Sequence, residues 1–386
     1  GEVAASQDYP NFRPTIDFNF AATKKLDPRI TYQRTGPASF TDEFGKVVIV
    51  GDNVPRFDHD PTTRECKGLL IEESRTNLLS YSIPDSNWNL SHATITQNAG
   101  IAPDGTNTAV LHSDNNTNNQ HLLYTTATVS SGTNYVITSY LKQPSSNSRR
   151  YYSMTIHGLG YIIFDVQNGT VHNASGTGII GATSTAVGNG WYRVKAHCVT
   201  NNTTGNIYWL PIADNGVDVV YTGASTAQGM LVWGCQLEAA TFETSYIPTS
   251  GSTVTRGADI VRIMDDDFTD IFGTEFKEFS LVADYDNDFG VGASGQNYAI
   301  FDMWGESTGY NDRIQIFRDD VSPYHIETRA FGQGNALFNN GNITASTLAK
   351  TQRFAASWYV PDYSNTSSRR FVVSMGGEAV DVIADN

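Results

Sequence analysis

The stretch Asn134-Tyr135-Val136-Ile137-Thr138-Ser139-Tyr140-Leu141-Lys142 alternates in the way that a β-strand with two different faces requires. The same period of two recurs in residues 151–156, 161–166, 190–197, 206–210 and 229–234. Turn-forming pairs such as Asn168-Gly169 and Asn215-Gly216 separate these runs, and no helical periodicity lies between them. Residues 81–255 are therefore predicted to form an antiparallel jelly roll.

The composition of the whole chain favours the all-β class. Its 386 residues include 34 Gly and 13 Pro, with 39% hydrophobic and 17% charged residues. Short apolar runs separated by Asn, Ser and Thr are typical of many strands joined by polar turns. The length predicts two or three domains, since a domain usually has roughly 100 to 200 residues.

Proline and glycine divide the rest of the chain. Residues 1–80 contain six prolines and are predicted to be an irregular attachment segment, with an edge strand at residues 15–20. The polar linker at residues 247–253 ends the jelly roll. Apolar alternation then resumes, so residues 262–386 are predicted to form a second antiparallel sandwich, incomplete at its C-terminus. The fold class is thus all-β, with two β-sandwiches after the N-terminal segment.

Charge and cysteine content exclude several classes of protein. The formal charge of −15, without a basic stripe, makes nucleic acid an unexpected partner. No apolar run approaches the 18 or so residues of a membrane helix, so membrane insertion is not expected. The three cysteines are scattered, and Cys198 and Cys235 are predicted to be small buried residues. Neither a zinc motif nor a serine hydrolase motif occurs, and no catalytic residue is assigned.

Aromatic residues are the candidates for a glycan site, because a sugar ring packs its C–H face on an exposed aromatic ring. The pairs Tyr151-Tyr152 and Tyr208-Trp209 are adjacent on predicted strands, so one residue of each pair should face outward. All four are predicted glycan-binding candidates, with packing in sandwich cores or subunit contacts as the alternative. Trp88, Trp191 and Trp233 are assigned to packing.

Asp284, Asp286 and Asp288 lie at i, i+2 and i+4, on one face of a predicted strand. Like charges in this arrangement can bind a cation, which makes calcium the one cofactor considered, although the spacing is not that of an EF-hand. The alternatives are a solvated acidic face and the paired carboxylates of a glycosidase. The acidic run at residues 265–267 is interpreted as a solvated turn.

Several segments resemble a known module. Residues 55–60 and 68–79, read as Pro-Arg-Phe-Asp-His-Asp and Gly-Leu-Leu-Ile-Glu-Glu-Ser-Arg-Thr-Asn-Leu-Leu, resemble the module that precedes carbohydrate-binding sandwiches in tailed-bacteriophage tail and fibre proteins. Residues 139–142, 188–193, 233–238 and 245–256 resemble the sandwich and its exit linker. Residues 262–386 are similar to concanavalin-like lectin and laminin-G sandwiches, through the order of their predicted strands and the predicted strand at residues 353–359.

The resemblance implies a virion protein that is assembled in the bacterial cytoplasm and acts outside the cell. It implies other virion proteins as partners and a homo-oligomer, with a trimer favoured. The predicted function is a structural component of the phage particle that binds host cell-surface glycan without enzymatic activity. Two alternatives remain: a purely structural decoration protein of the capsid or tail, and a polysaccharide depolymerase.

Overall fold

The computed structural model describes residues 15–145, 148–201, 204–224 and 228–272, and nine strands between residues 278 and 383. The chain divides into two compact units, Gly1–Met264 and Asp265–Asn386. Regular structure in the described residues is almost entirely antiparallel β-sheet, which confirms the all-β prediction. No helix of the described residues is long and apolar enough to cross a membrane.

The first unit begins with short elements that precede the sandwich. They are α1 (Phe20–Thr23), β1 (Thr31–Gln33), β2 (Ala38–Thr41), β3 (Val47–Val50), β4 (Phe57–His59), β5 (Cys66–Leu69) and β6 (Arg75–Asn77). The predicted strand at residues 15–20 is wrong. The Asn19 side chain accepts a hydrogen bond from the Ala22 amide at 3.1 Å, so it caps the first turn of α1 instead.

The sandwich strands follow, and two short strands lead out of it. They are β7 (Asn89–Ser91), β8 (Ala93–Gly100), β9 (Ala109–Asp114), β10 (Asn118–Asn119), β11 (Leu122–Thr128), β12 (Asn134–Lys142), β13 (Tyr151–Ile156), β14 (Tyr161–Asp165), β15 (Thr170–Ser175), β16 (Ile179–Ala186), β17 (Tyr192–Val199), β18 (Thr204–Ile212), β19 (Tyr221–Thr222), β20 (Gly229–Glu238), β21 (Val254–Arg256) and β22 (Ile260–Arg262).

These strands form two six-stranded antiparallel sheets. The front sheet has the order β15-β14-β13-β18-β11-β7, and the back sheet has the order β16-β17-β12-β20-β9-β8. Because side chains alternate along a strand, each sheet contributes one face to the core between the sheets and leaves the other face outside. The buried core includes Trp88, Tyr152, Met154, Phe164, Cys198, Trp209 and Cys235.

The outer face of the back sheet is also apolar. Trp191 and Trp233, each 2% exposed, pack there with Tyr140 and Tyr246, and Val47 of β3 covers part of the cluster. Trp88 is 5% exposed, so the prediction that these three tryptophans have a packing role is confirmed. The N-terminal elements thus cover a sheet face that water would otherwise contact.

A buried ion cluster joins the N-terminal elements to the exit strands. The Arg56 guanidinium lies 2.6 Å from both Asp259 and Glu72, and Arg256 lies 2.7 Å from Glu72. Arg34 pairs with Asp259 from another side at 3.3 Å. The strand pairs β1-β22 and β6-β21 run beside this cluster, so residues 15–80 belong to the same compact unit as the sandwich.

Asn77 fixes the same junction through its side-chain amide. Its Nδ2 donates to the carbonyls of Ile247 at 2.9 Å and Cys235 at 3.3 Å, and its Oδ1 accepts from the amides of Leu79 and Leu237, both at 3.1 Å. The side chain is fully buried. One residue therefore satisfies backbone groups from three segments that would otherwise lack partners.

The second unit contains one helix and two antiparallel sheets in its described residues. Its elements are α2 (Asp265–Phe272), β23 (Glu278–Asp286), β24 (Tyr298–Trp304), β25 (Arg313–Arg318), β26 (His325–Gly332), β27 (Asn335–Asn339), β28 (Ile343–Thr344), β29 (Thr351–Tyr359), β30 (Arg370–Met375) and β31 (Glu378–Ile383). The sheets have the orders β23-β29-β30-β31 and β24-β25-β26-β27, with β28 paired to β26.

The acidic run at residues 265–267 forms the first turn of α2, so the prediction of a non-helical turn there is wrong, whereas its solvation is as predicted. Carboxylates at a helix N-terminus are favoured by the helix dipole, which explains why this run starts a helix. All three side chains are exposed, as expected for a solvated segment.

Candidate functional site

The outer face of the front sheet carries the clearest arrangement of half-buried aromatic and polar side chains. Strand alternation sends Tyr152, Met154 and Ile156 of β13 into the core and Tyr151 and its alternate neighbours to the outer face. The register of β18 with β13 places Tyr208 opposite Thr155, and its register with β11 places Tyr208 opposite Tyr124.

Three tyrosines on this face, Tyr124, Tyr161 and Tyr208, form what we call the tyrosine platform. All three are half-buried, and Tyr161 and Tyr208 pack against the apolar cluster that contains Tyr151 and Leu210. The rings of Tyr124 and Tyr208 lie 5.5 Å apart at an angle of 59°. The imidazole of His157 meets Tyr208 edge to face at 5.7 Å. Ring pairs of this geometry are attractive, which fixes the orientation of the platform.

Polar side chains hold the hydroxyl groups of the platform. Asn206 Nδ2 donates to Tyr208 Oη at 3.2 Å, and Thr126 Oγ1 donates to Asn206 Oδ1 at 2.8 Å. Gln120 Nε2 donates to Tyr161 Oη at 2.8 Å. Since both tyrosine oxygens accept a hydrogen bond here, their O–H groups can donate to a ligand oxygen.

One end of the outer face is covered rather than open. The short strands β10 and β19, about 100 residues apart in the chain, pair with each other, and Val219 near β19 packs on the apolar cluster that contains Tyr151 and Leu210. Arg149 holds this cover, since it lies 2.7 Å from Asp114 and its guanidinium sits 4.8 Å from the Tyr221 ring centre. The cover therefore borders the platform and limits it to one end of the sheet.

The four predicted glycan-binding residues have different positions. Tyr208 lies on the platform. Trp209 is fully buried and packs edge to face against Trp88 at 4.9 Å. Tyr152 is fully buried and bonds to His112 Nδ1 at 2.7 Å. Neither can contact a sugar, so both are corrected to core residues.

Tyr151 faces outward as the alternation predicts, but only 8% of it is exposed. The imidazole of His172 lies 4.7 Å from its ring, and the guanidinium of Arg150 lies 5.0 Å from the ring centre. These neighbours occupy the contact area that a sugar would need. Tyr151 is therefore a covered residue of the outer face, which corrects the prediction that it contacts glycan.

The platform residues Tyr124 and Tyr161, and the neighbouring His157, were not predicted as ligand contacts. The strand of Tyr161 was recognised, but its neighbours in space come from β11 and β18. The available signal was the alternation Leu122-Leu123-Tyr124, which places Tyr124 on the face opposite to the buried Leu123. What the alternation could not supply is the register that brings Tyr124 beside Tyr208.

The predicted calcium residues lie in the second unit. Asp284 is exposed on β23, where its backbone pairs with Arg353 of β29. Asp286 is the last residue of β23, and Asp288 lies outside the described residues. The described part of the chain contains no group of three His, Cys, Asp or Glu side chains able to hold a metal ion. Calcium binding stays a prediction.

No protein-family model and no curated protein matches the chain. A solved structure similar to it is that of the carbohydrate-binding module TmCBM27, described for specific mannan recognition. The match has 11% sequence identity and a TM-score of 0.25, and it covers 45% of this chain and 98% of that module. That score is too low to transfer a ligand or a binding face to this chain.

Proposed function

We propose that this chain binds glycan through the tyrosine platform on the outer face of the front sheet. The observation that carries the proposal is the set of three half-buried tyrosine rings on one sheet face, two of them with hydroxyl groups held by neighbouring amides. Trp209, Tyr152 and Trp233 of the sandwich are buried and are therefore not part of this surface.

The chemistry of a sugar fits this surface. The C–H face of a pyranose ring can lie on Tyr208 and Tyr124, where it displaces water from apolar ring surface. The donor groups of Tyr161 and Tyr208 then bond to sugar oxygens at the edge of the ring. Each such contact is weak and exposed to solvent, so a single platform should bind with modest affinity.

The wider role we propose is that of an adhesive component of a tailed-phage particle. Support comes from the resemblance of residues 55–60 and 68–79 to the module that precedes such sandwiches in tail and fibre proteins, and of residues 139–142, 188–193, 233–238 and 245–256 to the sandwich and its exit linker. On a trimer or another homo-oligomer, several platforms would act together, and their raised effective concentration would hold a particle on a cell surface. The proposed action is binding without hydrolysis, with virion assembly in the bacterial cytoplasm.

The binding test is a glycan array followed by calorimetric titration of the best ligand. Tyr208→Leu keeps an apolar side chain but removes the flat ring and the hydroxyl. We expect it to weaken binding at least about tenfold, equivalent to roughly 1.4 kcal/mol. Tyr192→Leu is the matched control, because Tyr192 is a half-buried tyrosine of the back sheet, and its affinity should equal that of the unmodified chain.

Two results would contradict the binding proposal: an array without any bound glycan, or equal affinity losses in the Tyr208 and Tyr192 variants. Release of reducing ends from a bound polysaccharide would show hydrolysis and favour the depolymerase. The virion location has a separate test, which is labelling of purified particles with an antibody to this chain in electron micrographs.

A further inference from the structure

Six outward positions of the front sheet lie in one line across its strands. Directly opposite residues of paired strands share a face, so the registers of the sheet can be followed from one edge to the other. Between β13 and β14 the register pairs Met154 with Ile162, and the next outward pair lies one residue beyond. We call the line the transverse row; from β7 to β15 it consists of Asn89, Tyr124, Tyr208, Thr155, Tyr161 and Ser175.

Polar side chains border the row on both sides. On the side of the cover, Gln120 Nε2 donates to Tyr161 Oη at 2.8 Å. Gln120 precedes β11 and Tyr161 lies on β14, so these two side chains together cross β18 and β13, which lie between those strands in the sheet. On the other side, Thr126 of β11 lies opposite Asn206 of β18 and donates to it at 2.8 Å. The surface between the two borders therefore runs across the strands, not along them.

The row is long and ends at the two edges of the sheet. Neighbouring strands lie about 4.8 Å apart, so six strands give a row of about 24 Å, several times the width of one pyranose ring. Asn89 on the edge strand β7 and Ser175 on the edge strand β15 are both exposed. A chain of sugars bound along the row can therefore extend beyond the sheet at both ends.

The row and its borders consist of uncharged residue types, namely tyrosine, threonine, serine, asparagine and glutamine. Arg150 and Asp165 pair on the same face, but Asp165 is four residues from Tyr161 along β14, a distance of about 13 Å. Hydrogen bonds of 2.6 and 2.9 Å join the pair, so its two charges neutralise each other. The formal charge of −15 for the whole chain also opposes an anionic ligand. The surface therefore favours an uncharged glycan.

We propose that the transverse row binds an interior stretch of an uncharged, linear polysaccharide that lies across the strands. The proposal rests on the glycan binding proposed above and adds the length, charge and direction of the ligand. Sugar faces contact Tyr124 and Tyr208 in the middle of the row, and sugar hydroxyl groups meet the polar side chains that border it on both sides. Because both ends of the row are open, binding does not require a free chain end.

The first test is an array of oligosaccharides of one to six units. It carries uncharged series of β-1,4-linked glucose, mannose and N-acetylglucosamine, and anionic series of galacturonate and mannuronate. His157 borders Tyr208, so the array is read at pH 8, above the usual titration range of histidine. We expect an uncharged hexasaccharide to bind at least about tenfold more tightly than its disaccharide.

The outcomes separate the two proposals. An array on which no glycan binds contradicts binding by the platform itself. Binding of the anionic series alone, or disaccharides that bind as tightly as hexasaccharides, overturns the row and leaves binding by the platform intact. A biotin group on either end of the hexasaccharide should leave its affinity unchanged. Loss of binding with a blocked end would show that the site holds a chain end, which also overturns the proposal.

The second test is Tyr161→Leu, which removes one ring of the row and its bond to Gln120. We expect the hexasaccharide to bind about tenfold more weakly. The disaccharide should bind as before through Tyr124 and Tyr208, which also shows that the variant is folded. Tyr192→Leu, at a half-buried tyrosine of the back sheet, is the matched control and should keep the full gain with length. The row is refuted if Tyr161→Leu keeps that gain too.

Discussion

Arg34, Arg56 and Arg256 are fully buried, and this sets the energetics of the junction at the scale of single residues. Burying a guanidinium is costly unless carboxylates and hydrogen bonds replace the lost water. Asp259 and Glu72 supply that compensation. Arg56 and Glu72 therefore have a structural role at this junction.

Glu72→Gln should destabilise the first unit by about 3–5 kcal/mol, because it leaves Arg256 and Arg56 short of a buried counter-charge. Urea unfolding followed by tryptophan fluorescence measures the change. Glu43→Gln is the control. Glu43 pairs with Lys24 at 3.2 Å with both side chains exposed, so its loss should cost no more than about 0.5 kcal/mol. Similar losses in the two variants would contradict the structural importance of the cluster.

His112 predicts a pH dependence of stability. Burial, with a smaller contribution from His121, lowers the pKa of His112 from 6.5 to about 3. Between these two values the unfolded chain binds a proton that the folded chain does not, so stability falls as the pH falls from 6.5. One such group contributes up to about 1.4 kcal/mol per pH unit.

His112→Gln should remove this contribution, and urea midpoints measured from pH 7 to pH 4.5 would show a flatter profile. The pH range of the measurement ends at 4.5 because, below that pH, the lowered pKa of Glu72 also makes stability depend on pH. Burial raises the pKa of Glu72, but Arg256 and Arg56 outweigh that effect and lower it to about 2. His92→Gln, a variant of an exposed histidine, should keep the unmodified profile. Parallel profiles for all three proteins would refute the assignment to His112.

At the scale of elements, alternation predicted the strands well and their exposure less well. The run 151–156 is a strand as expected, and the run 134–142 matches β12 in both bounds. Alternation states that Tyr151 and Tyr152 face opposite sides, and they do. It does not state how far the outer side is covered, which depends on contacts such as that of Val219 with the Tyr151 cluster and on the pairing of β10 with β19, about 100 positions apart.

The turn predicted at Asn168-Gly169 requires glycine, for two reasons. Gly169 joins β14 to β15 with φ of +68°, and a Cβ at this position would overlap the Tyr192 ring. Gly169→Ala should therefore destabilise the sandwich by more than about 1–2 kcal/mol, the cost of the left-handed conformation alone. Thermal melting measures the loss.

Gly181→Ala is the control for this turn. Gly181 lies within β16, its φ is not in the left-handed region, and an added methyl group would have no other atom within 4 Å. Its variant should change stability by less than about 1 kcal/mol. If Gly169→Ala melts like Gly181→Ala, the turn does not require glycine.

At the scale of the whole molecule, the N-terminal segment contributes residues to the apolar clusters of the sandwich. The sequence predicts an irregular, proline-rich attachment segment for residues 1–80. In the structure, Leu79 belongs to the sandwich core and Val47 to the outer cluster. The partners of these residues lie far along the chain, so local patterns could not reveal them.

A chain of residues 81–264 should therefore not fold cooperatively. It lacks the partners of β21 and β22, and it retains Arg256 without Glu72. Circular dichroism, urea unfolding and dye binding to exposed apolar surface can compare it with residues 1–264, which should unfold in one sharp transition. A sharp transition in the shorter chain would show that the N-terminal elements are dispensable.

The three cysteines also have a practical consequence. Burial raises the pKa of both Cys198 and Cys235 to about 12, so these thiols stay protonated and inaccessible at neutral pH. Cys66, half-buried on β5, differs from them in exposure. A maleimide reagent should consequently modify one position of the native protein, which gives a dye or biotin a defined attachment point and every immobilised molecule the same orientation without mutagenesis.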